Sequence, residues 1–290
     1  MTTIIPKQPL RVPRPVQYFV RNNHRQLLDY AGKVTSTGQI MNVLVTGPQG
    51  CGKSTMPLQF AAINQRPFAV IEIGMLAEAS QLFGSLHVRE RETVYLAGKF
   101  TQALMTPNCV IHLQEINRPE SDKTLNAMFS VLDDQQRGLW IDDAETQVDV
   151  APGVCFFASL NEGYDFVGTM PLDLALKDRF EIKIGLDYLP ANTEAQLLTA
   201  RTGLTYDKAL TIINIINSLR NNTQEPIPIS TRATLEIARM LKFGIGLTDA
   251  LIASVAVDES MLESVLVAMH FDPNMTQTLQ RTTTDYSIYN

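Results

Sequence analysis

Five short apolar runs punctuate the first two thirds of the chain: Met41–Val45, Phe68–Ile73, Cys109–Leu113, Val154–Ala158 and Phe180–Ile184. Each is strand-length and rich in β-branched or aromatic residues, so each reads as a β-strand. Helical spacing separates them. Leu125, Met128, Phe129 and Leu132, for example, fall on one helix face. Strands alternating with helices argue for an α/β domain with a parallel sheet covered on both sides. Leu139–Ile141 and Gln147–Val150 flank the polar stretch DDAET and read as a β-hairpin.

After Leu186 the strand signals stop. Pro190 precedes a helix start at Asn192 or Thr193, and the remainder reads as helices over 193–201, 206–219, 231–241, 247–256 and 260–269. At the other end, Pro6, Pro9, Pro13 and Pro15 deny the backbone donors and bias their neighbours away from helix. The organisation is therefore an extended arm over 1–22, an α/β core over 23–188 that opens with a short helix over 23–30, a helical lid over 189–272, and a polar, threonine-rich tail over 273–290 read as loose.

Composition narrows the class. The chain has 290 residues, 45% of them hydrophobic and 19% charged, which excludes a disordered chain or a coiled-coil rod. Its 24 basic and 30 acidic residues give a net charge of −6, which weighs against a surface that grips duplex DNA. Cys51, Cys109 and Cys155 are too few and too irregular for a disulfide framework or a zinc site and fit a reducing compartment. No run approaches the roughly 20 apolar residues that span a bilayer. A cytoplasmic protein without membrane contact is the expectation.

The sharpest motif is Gly47-Pro48-Gln49-Gly50-Cys51-Gly52-Lys53-Ser54, which matches G-x-x-x-x-G-K-[ST], follows the first strand and leads through Thr55 into a helix. Glycines let the backbone turn its N–H groups onto a phosphate, and the helix start adds free amides and its dipole. Lys53 is placed to neutralise β and γ phosphates, and Ser54 to offer its hydroxyl to Mg²⁺. Cys51 reads as a small loop residue. A hydrolase of this type also needs a carboxylate that orients Mg²⁺ and another that polarises the attacking water. At the end of the third strand, Glu115 takes the second role, but Gln114 stands where the first carboxylate belongs. The expectation is nucleotide binding with weak Mg²⁺ dependence and slow hydrolysis. His112, within the strand, reads as a core histidine.

These motifs together resemble an AAA+ ATPase of the MoxR group, nearest its CbbQ/NirQ-like branch. GPQGCGKS resembles the Walker A loop, HLQEINRP the Walker B strand, LWIDDAETQVDV the hairpin before sensor 1, FFASLNEG sensor 1, GTMPLDLALKDRF the segment ending in L-D-R-F, and ISTRA the start of the sensor 2 helix. The resemblance implies a P-loop fold with a C-terminal helical lid, using ATP and Mg²⁺. It makes Asn161 the sensor 1 amide, Arg179 an arginine finger acting on a neighbouring subunit, and Arg232 sensor 2 with Ser230 or Thr231 as N-cap. Plainer partners for Arg179 are Asp178 or Glu181, and Arg118 is a weaker candidate for facing a neighbour. Met75–Thr93 resembles an insertion into the second helix. The hairpin over 138–150 carries the only tryptophan, Trp140, read as an anchor against the core.

An arginine acting in trans implies a homo-oligomeric ring, typically a hexamer in this family. Family members remodel or activate a separate protein client, often one with a von Willebrand factor A domain. Two other classes stay open: a motor or loader acting on nucleic acid, and a nucleotide-gated scaffold, which Gln114 favours.

Overall fold

A computed structural model describes residues 4–5, 9–75, 80–89, 92–119, 122–133, 135, 137–161, 171–221, 227, 229–255 and 286–290. Its central sheet holds β1 (Met41–Gly47), β2 (Phe68–Glu72), β3 (Val110–Gln114), β4 (Cys155–Asn161) and β5 (Ile182–Gly185). The strands lie in the order β5-β1-β4-β3-β2, and every neighbouring pair is parallel. Parallel neighbours require crossovers, and the crossovers lay helices on the faces. These include α1 (Asn22–Ser36), α2 (Thr55–Ile63), α3 (Lys99–Leu104) and α4 (Asp122–Leu132).

Side chains alternate across the sheet because successive Cβ atoms point to opposite faces. Val43, Val45 and Phe157 pack with Leu28 of α1 and Phe60 of α2, while Leu44, Phe156 and Ala158 pack with Phe100 of α3 and Met128 of α4. Both faces are covered, so the strands are apolar throughout rather than alternating. The five apolar runs locate the five strands. β1 and β4 continue past their runs, and their register sets Asn161 opposite Gly47. The first helix runs six residues beyond the expected Tyr30, to Ser36. Thr35, buried near its end, donates its hydroxyl to Ala31 O at 2.7 Å instead of breaking the helix.

Two hairpins decorate this core. The insertion at 75–93 contains a helical turn (Ser80–Phe83) and the strand Gly84–Arg89, which pairs antiparallel with Glu92–Ala97, itself flanked by Ile4–Ile5. The second hairpin pairs Gly138–Ile141 with Thr146–Asp149, as expected. Trp140 is a correction: it is no core anchor but 58% exposed. Leu139 and Ile141 take the inward positions, and alternation along the strand turns the ring between them outward.

The helical part has α5 (Leu174–Asp178) at its approach, then α6 (Ala191–Thr202), α7 (Tyr206–Arg220), α8 (Thr231–Phe243) and α9 (Leu247–Ser254). It has its own core, with Leu198, Ile213, Ile216, Ile237 and Leu251 at the centre. The helix expected over 260–269 lies outside the described residues. No described helix is long and apolar enough to cross a membrane.

The loose-tail expectation fails for its last residues. Tyr286–Ile288 pairs antiparallel with Phe19–Arg21, and Tyr289 is 2% exposed against the α1/α2 face. Tyr289, with the half-buried Tyr286, supplies apolar area, and burying it offsets the ordering of the segment.

Candidate nucleotide site

The phosphate-binding motif turns from β1 into α2. Gly50 and Gly52 have φ of 72° and 103°, in the region open to glycine. Both are also crowded. A Cβ on Gly50 would lie 2.5 Å from Ser230 Cβ of the lid, and one on Gly52 would lie 3.0 Å from the Tyr18 ring of the arm. Lid and arm therefore close directly onto the loop. Ser230 also caps α8, its hydroxyl accepting from Ala233 N at 3.2 Å, as the sequence suggested.

Lys53 is buried, and its Nζ donates to Gly47 O at 2.8 Å and Pro48 O at 2.6 Å. Burial lowers its ammonium pKa from the ordinary lysine range, and Arg232 nearby pushes the same way. Cys51 and Glu115 oppose them. The Cys51 thiol is raised, chiefly by burial, so it sits in the loop as a neutral thiol.

A cavity of about 360 Å³ opens over the loop. It is lined by Gln49, Lys53, Ser54 and Thr55 of the loop, and by Gln114, Glu115, Ser159 and Asn161 at the ends of β3 and β4. Glu115 has φ of 53°, a left-handed conformation uncommon for a side chain of its size. Ile116 N donating to Ser159 O at 3.0 Å, and Arg118 N donating to Glu115 O at 2.9 Å, hold this turn. The Glu115 carboxylate is paired with Arg118 at 3.3 Å, so the arginine considered for a neighbour serves its own strand end here. Asn117 Nδ2 donates to Asn161 O at 3.2 Å, locking the two strand ends together. Below them His112, pushed down to about 4 by burial, is neutral and hydrogen-bonded to Ser159 Oγ at 2.9 Å, as a core histidine.

The lid brings Thr231, Arg232 and Leu235 of α8 to the same cavity, with Leu197 and Arg201 of α6. Arg201 escapes a reading of the sequence because no motif surrounds it. Its Nη2 donates to Gln17 O at 3.0 Å. Tyr18 and Phe19 of the arm complete the wall. Three cations, Lys53, Arg201 and Arg232, thus face one carboxylate, Glu115, among the described lining residues, a balance that suits a polyphosphate.

Arg179 lies elsewhere. It pairs with Asp133 at 3.2 Å rather than Asp178 or Glu181, donates to Phe129 O and Ala175 O, and sits over the Phe129 ring at 4.9 Å. It does not line the cavity of its own chain.

Known proteins resemble this chain in sequence and fold. Residues 42–180 match the AAA domain of the dynein-related subfamily. Over 215 residues the chain is 26% identical to Protein NorQ of Paracoccus denitrificans, covering 73% of this chain and 78% of that protein. Over 272 residues it is 43% identical to "Putative chaperone BssE" of Thauera aromatica, covering 94% of this chain and 93% of the relative. The chain belongs to the MoxR family of AAA+ ATPases. Its fold is shared with Thermotoga maritima RuvB. A point mutant of that protein aligns with a TM-score of 0.55 at 15% identity over 88% of this chain and 72% of that one.

For a MoxR-type ATPase the protein's own cation ligands are sparse. No group of three or more His, Cys, Asp or Glu side chains among the described residues could hold a metal. The donors at the loop are the Ser54 hydroxyl, the Gln114 amide and the Glu115 carboxylate. Such a set fits Mg²⁺ that arrives with its nucleotide and keeps most of its waters, not a cage built by protein alone.

Proposed function

We propose that this chain is a ring-forming ATPase, a hexamer as is typical of its family, that uses ATP binding and hydrolysis to remodel or activate a separate partner protein. The observation that carries this reading is the shared cavity onto which the phosphate loop, Glu115, Asn161 and the lid residue Arg232 all open. The loop amides from Gln49 to Thr55 and the Lys53 ammonium bind the phosphates, with Gly47 and Pro48 shaping the turn. Mg²⁺ bound with ATP neutralises phosphate charge, and Ser54 and Gln114 are the side chains that would hold it or its waters. Glu115 takes the proton of the attacking water, Asn161 orients that water, and Arg232 ties the lid to the phosphates. Loss of the γ phosphate releases Arg232, so the lid and the two hairpins change position relative to the core.

Arg179 cannot serve its own cavity from where it stands, which fits a role toward the neighbouring subunit in the ring. To act there it exchanges Asp133 and the two carbonyls for phosphate oxygens. A client protein, including one with a von Willebrand factor A domain, fits the net charge of −6 better than nucleic acid does, and the chaperone name of the Thauera relative points the same way. The test is affinity capture in the presence of ATP with the Glu115→Gln chain, in which hydrolysis is blocked. A protein partner that is retained with ATP and lost with ADP is expected. Nucleic acid in place of such a partner overturns the reading.

Gln114 favours a second reading, a scaffold assembled by ATP with slow hydrolysis. A neutral amide orients a metal-bound water but adds no negative charge. Gln114→Asp is therefore expected to raise ATP turnover and sharpen its Mg²⁺ dependence, measured as phosphate release across a Mg²⁺ titration. An unchanged rate and optimum would show that the amide is no handicap.

A further inference from the structure

The cavity is lined by two unlike kinds of side chain. Lys53, Ser54, Glu115 and Arg232 give it charged and polar groups, and Tyr18, Phe19, Leu189, Leu197 and Leu235 give it apolar surface. A nucleotide with its phosphates on the loop would lay its base against an apolar wall made by such side chains. Part of that wall, Gln17–Phe19, belongs neither to the parallel sheet nor to the lid. A lone stretch of arm has no reason to keep one conformation unless something fixes it.

What fixes it is largely the segment Tyr286–Tyr289. Tyr286–Ile288 is the strand partner of Phe19–Arg21, and Tyr289 N donates to Tyr18 O at 2.9 Å. Arg21 Nε donates to Tyr286 Oη at 2.6 Å, with the guanidinium over that ring at 5.6 Å. Arg25 donates to Ser287 Oγ and Ile288 O, both at 3.3 Å. The decisive residue is Gln59, 1% exposed on α2, the helix that starts from the phosphate loop. Its Oε1 accepts from Val16 N at 2.7 Å and its Nε2 donates to Tyr289 O at 2.7 Å. One buried amide thus ties both the arm and the distant segment to the helix that carries the loop. A buried amide satisfied on both sides has a single arrangement, because leaving either end unpaired is penalised by its desolvation.

We propose that Tyr286–Tyr289 is a positioning clamp that holds Gln17–Phe19 as the base-side wall of the cavity, so nucleotide affinity depends on residues that do not touch nucleotide. The inference rests on the ATP reading of this cavity. The clamp acts through population: if the wall stands in place only a tenth of the time, apparent affinity falls about tenfold, although every direct contact survives.

Tyr289→Ala and a chain shortened to end at Asp285 both release the clamp, and each is compared with the unaltered chain for binding of ATP and of inorganic tripolyphosphate. The expected result is a Kd for ATP raised about tenfold with tripolyphosphate changed less than twofold. A peptide of residues 285–290 added to the shortened chain restores ATP affinity. Equal weakening of both ligands, or unchanged ATP affinity, overturns the clamp. Failure of the unaltered chain to bind ATP instead overturns the nucleotide reading. On the unaltered chain, amide exchange at 17–21 and 287–289 is expected to slow together with ATP but not with tripolyphosphate. Protection of 17–21 alone counts against the clamp even if both variants misfold.

Discussion

Glu115→Gln is expected to lower ATP turnover at least about a hundredfold while nucleotide binding stays within about threefold of the unaltered protein. Glu115 is the one carboxylate among the described residues that line the cavity. With an amide at Gln114, no second acid among the described lining residues can take over the proton. Glutamine keeps the length and an acceptor oxygen, so the turn at φ 53° and the hydrogen bonds of Ile116 and Arg118 remain available. What it loses is the capacity to accept a proton. Removing the negative charge also leaves Lys53, Arg201 and Arg232 unopposed, which favours bound ATP over free enzyme. Phosphate release and a fluorescent-nucleotide titration measure the two halves. A turnover within a factor of three of the unaltered chain would remove Glu115 from the chemistry.

Glu194→Ala is expected to destabilise the lid by about 3–5 kcal/mol, the range for breaking a buried ion pair. Glu194 is fully buried and meets Arg220 through two bonds, of 2.7 and 3.0 Å. Arg220 also donates to Ile229 O and Thr234 Oγ1 and lies over the Tyr188 ring at 4.6 Å. Truncating the acid strands a guanidinium that is itself only 7% exposed. The paired change Glu194→Leu with Arg220→Met removes both charges and is expected to recover most of the loss. Thermal unfolding of the two variants checks this. A deficit below about 1 kcal/mol for the single change would mean that the pair is replaced by water or by another partner. Because Ile229 and Thr234 flank Ser230 and Arg232, the single variant is also expected to bind nucleotide more weakly than the double.

Much of this architecture is legible in the chain itself, for reasons that also explain what is not. A strand buried on both faces must be apolar throughout, so the five sheet strands stand out as runs, and a phosphate loop is constrained residue by residue. The strand Gly84–Arg89 hides because only Leu86 and Val88 are apolar in it and a cluster of arginine and glutamate over 89–92 joins it to its partner. Trp140 misleads when its size is weighed over its phase: the alternation that places Leu139 and Ile141 inward already turns it outward. The pairing of Arg21 with Tyr286 spans 265 positions, and no local pattern announces a contact so distant. Arg201 carries no motif and enters the site only because α6 packs where it does. Arg179 finds its acid in Asp133, 46 positions away, rather than in the Asp178 or Glu181 beside it in sequence.

The lysine of the phosphate loop has a kinetic consequence. Lys53 grips the carbonyls of Gly47 and Pro48, so the curvature of the loop is braced by the chain's own atoms. Ligand entry then exchanges acceptors around one ammonium instead of ordering a slack side chain, and product departure is met by two carbonyls waiting to take the ammonium back. The loop thus carries its own internal competitor for any phosphate, fresh or spent, at a single ammonium.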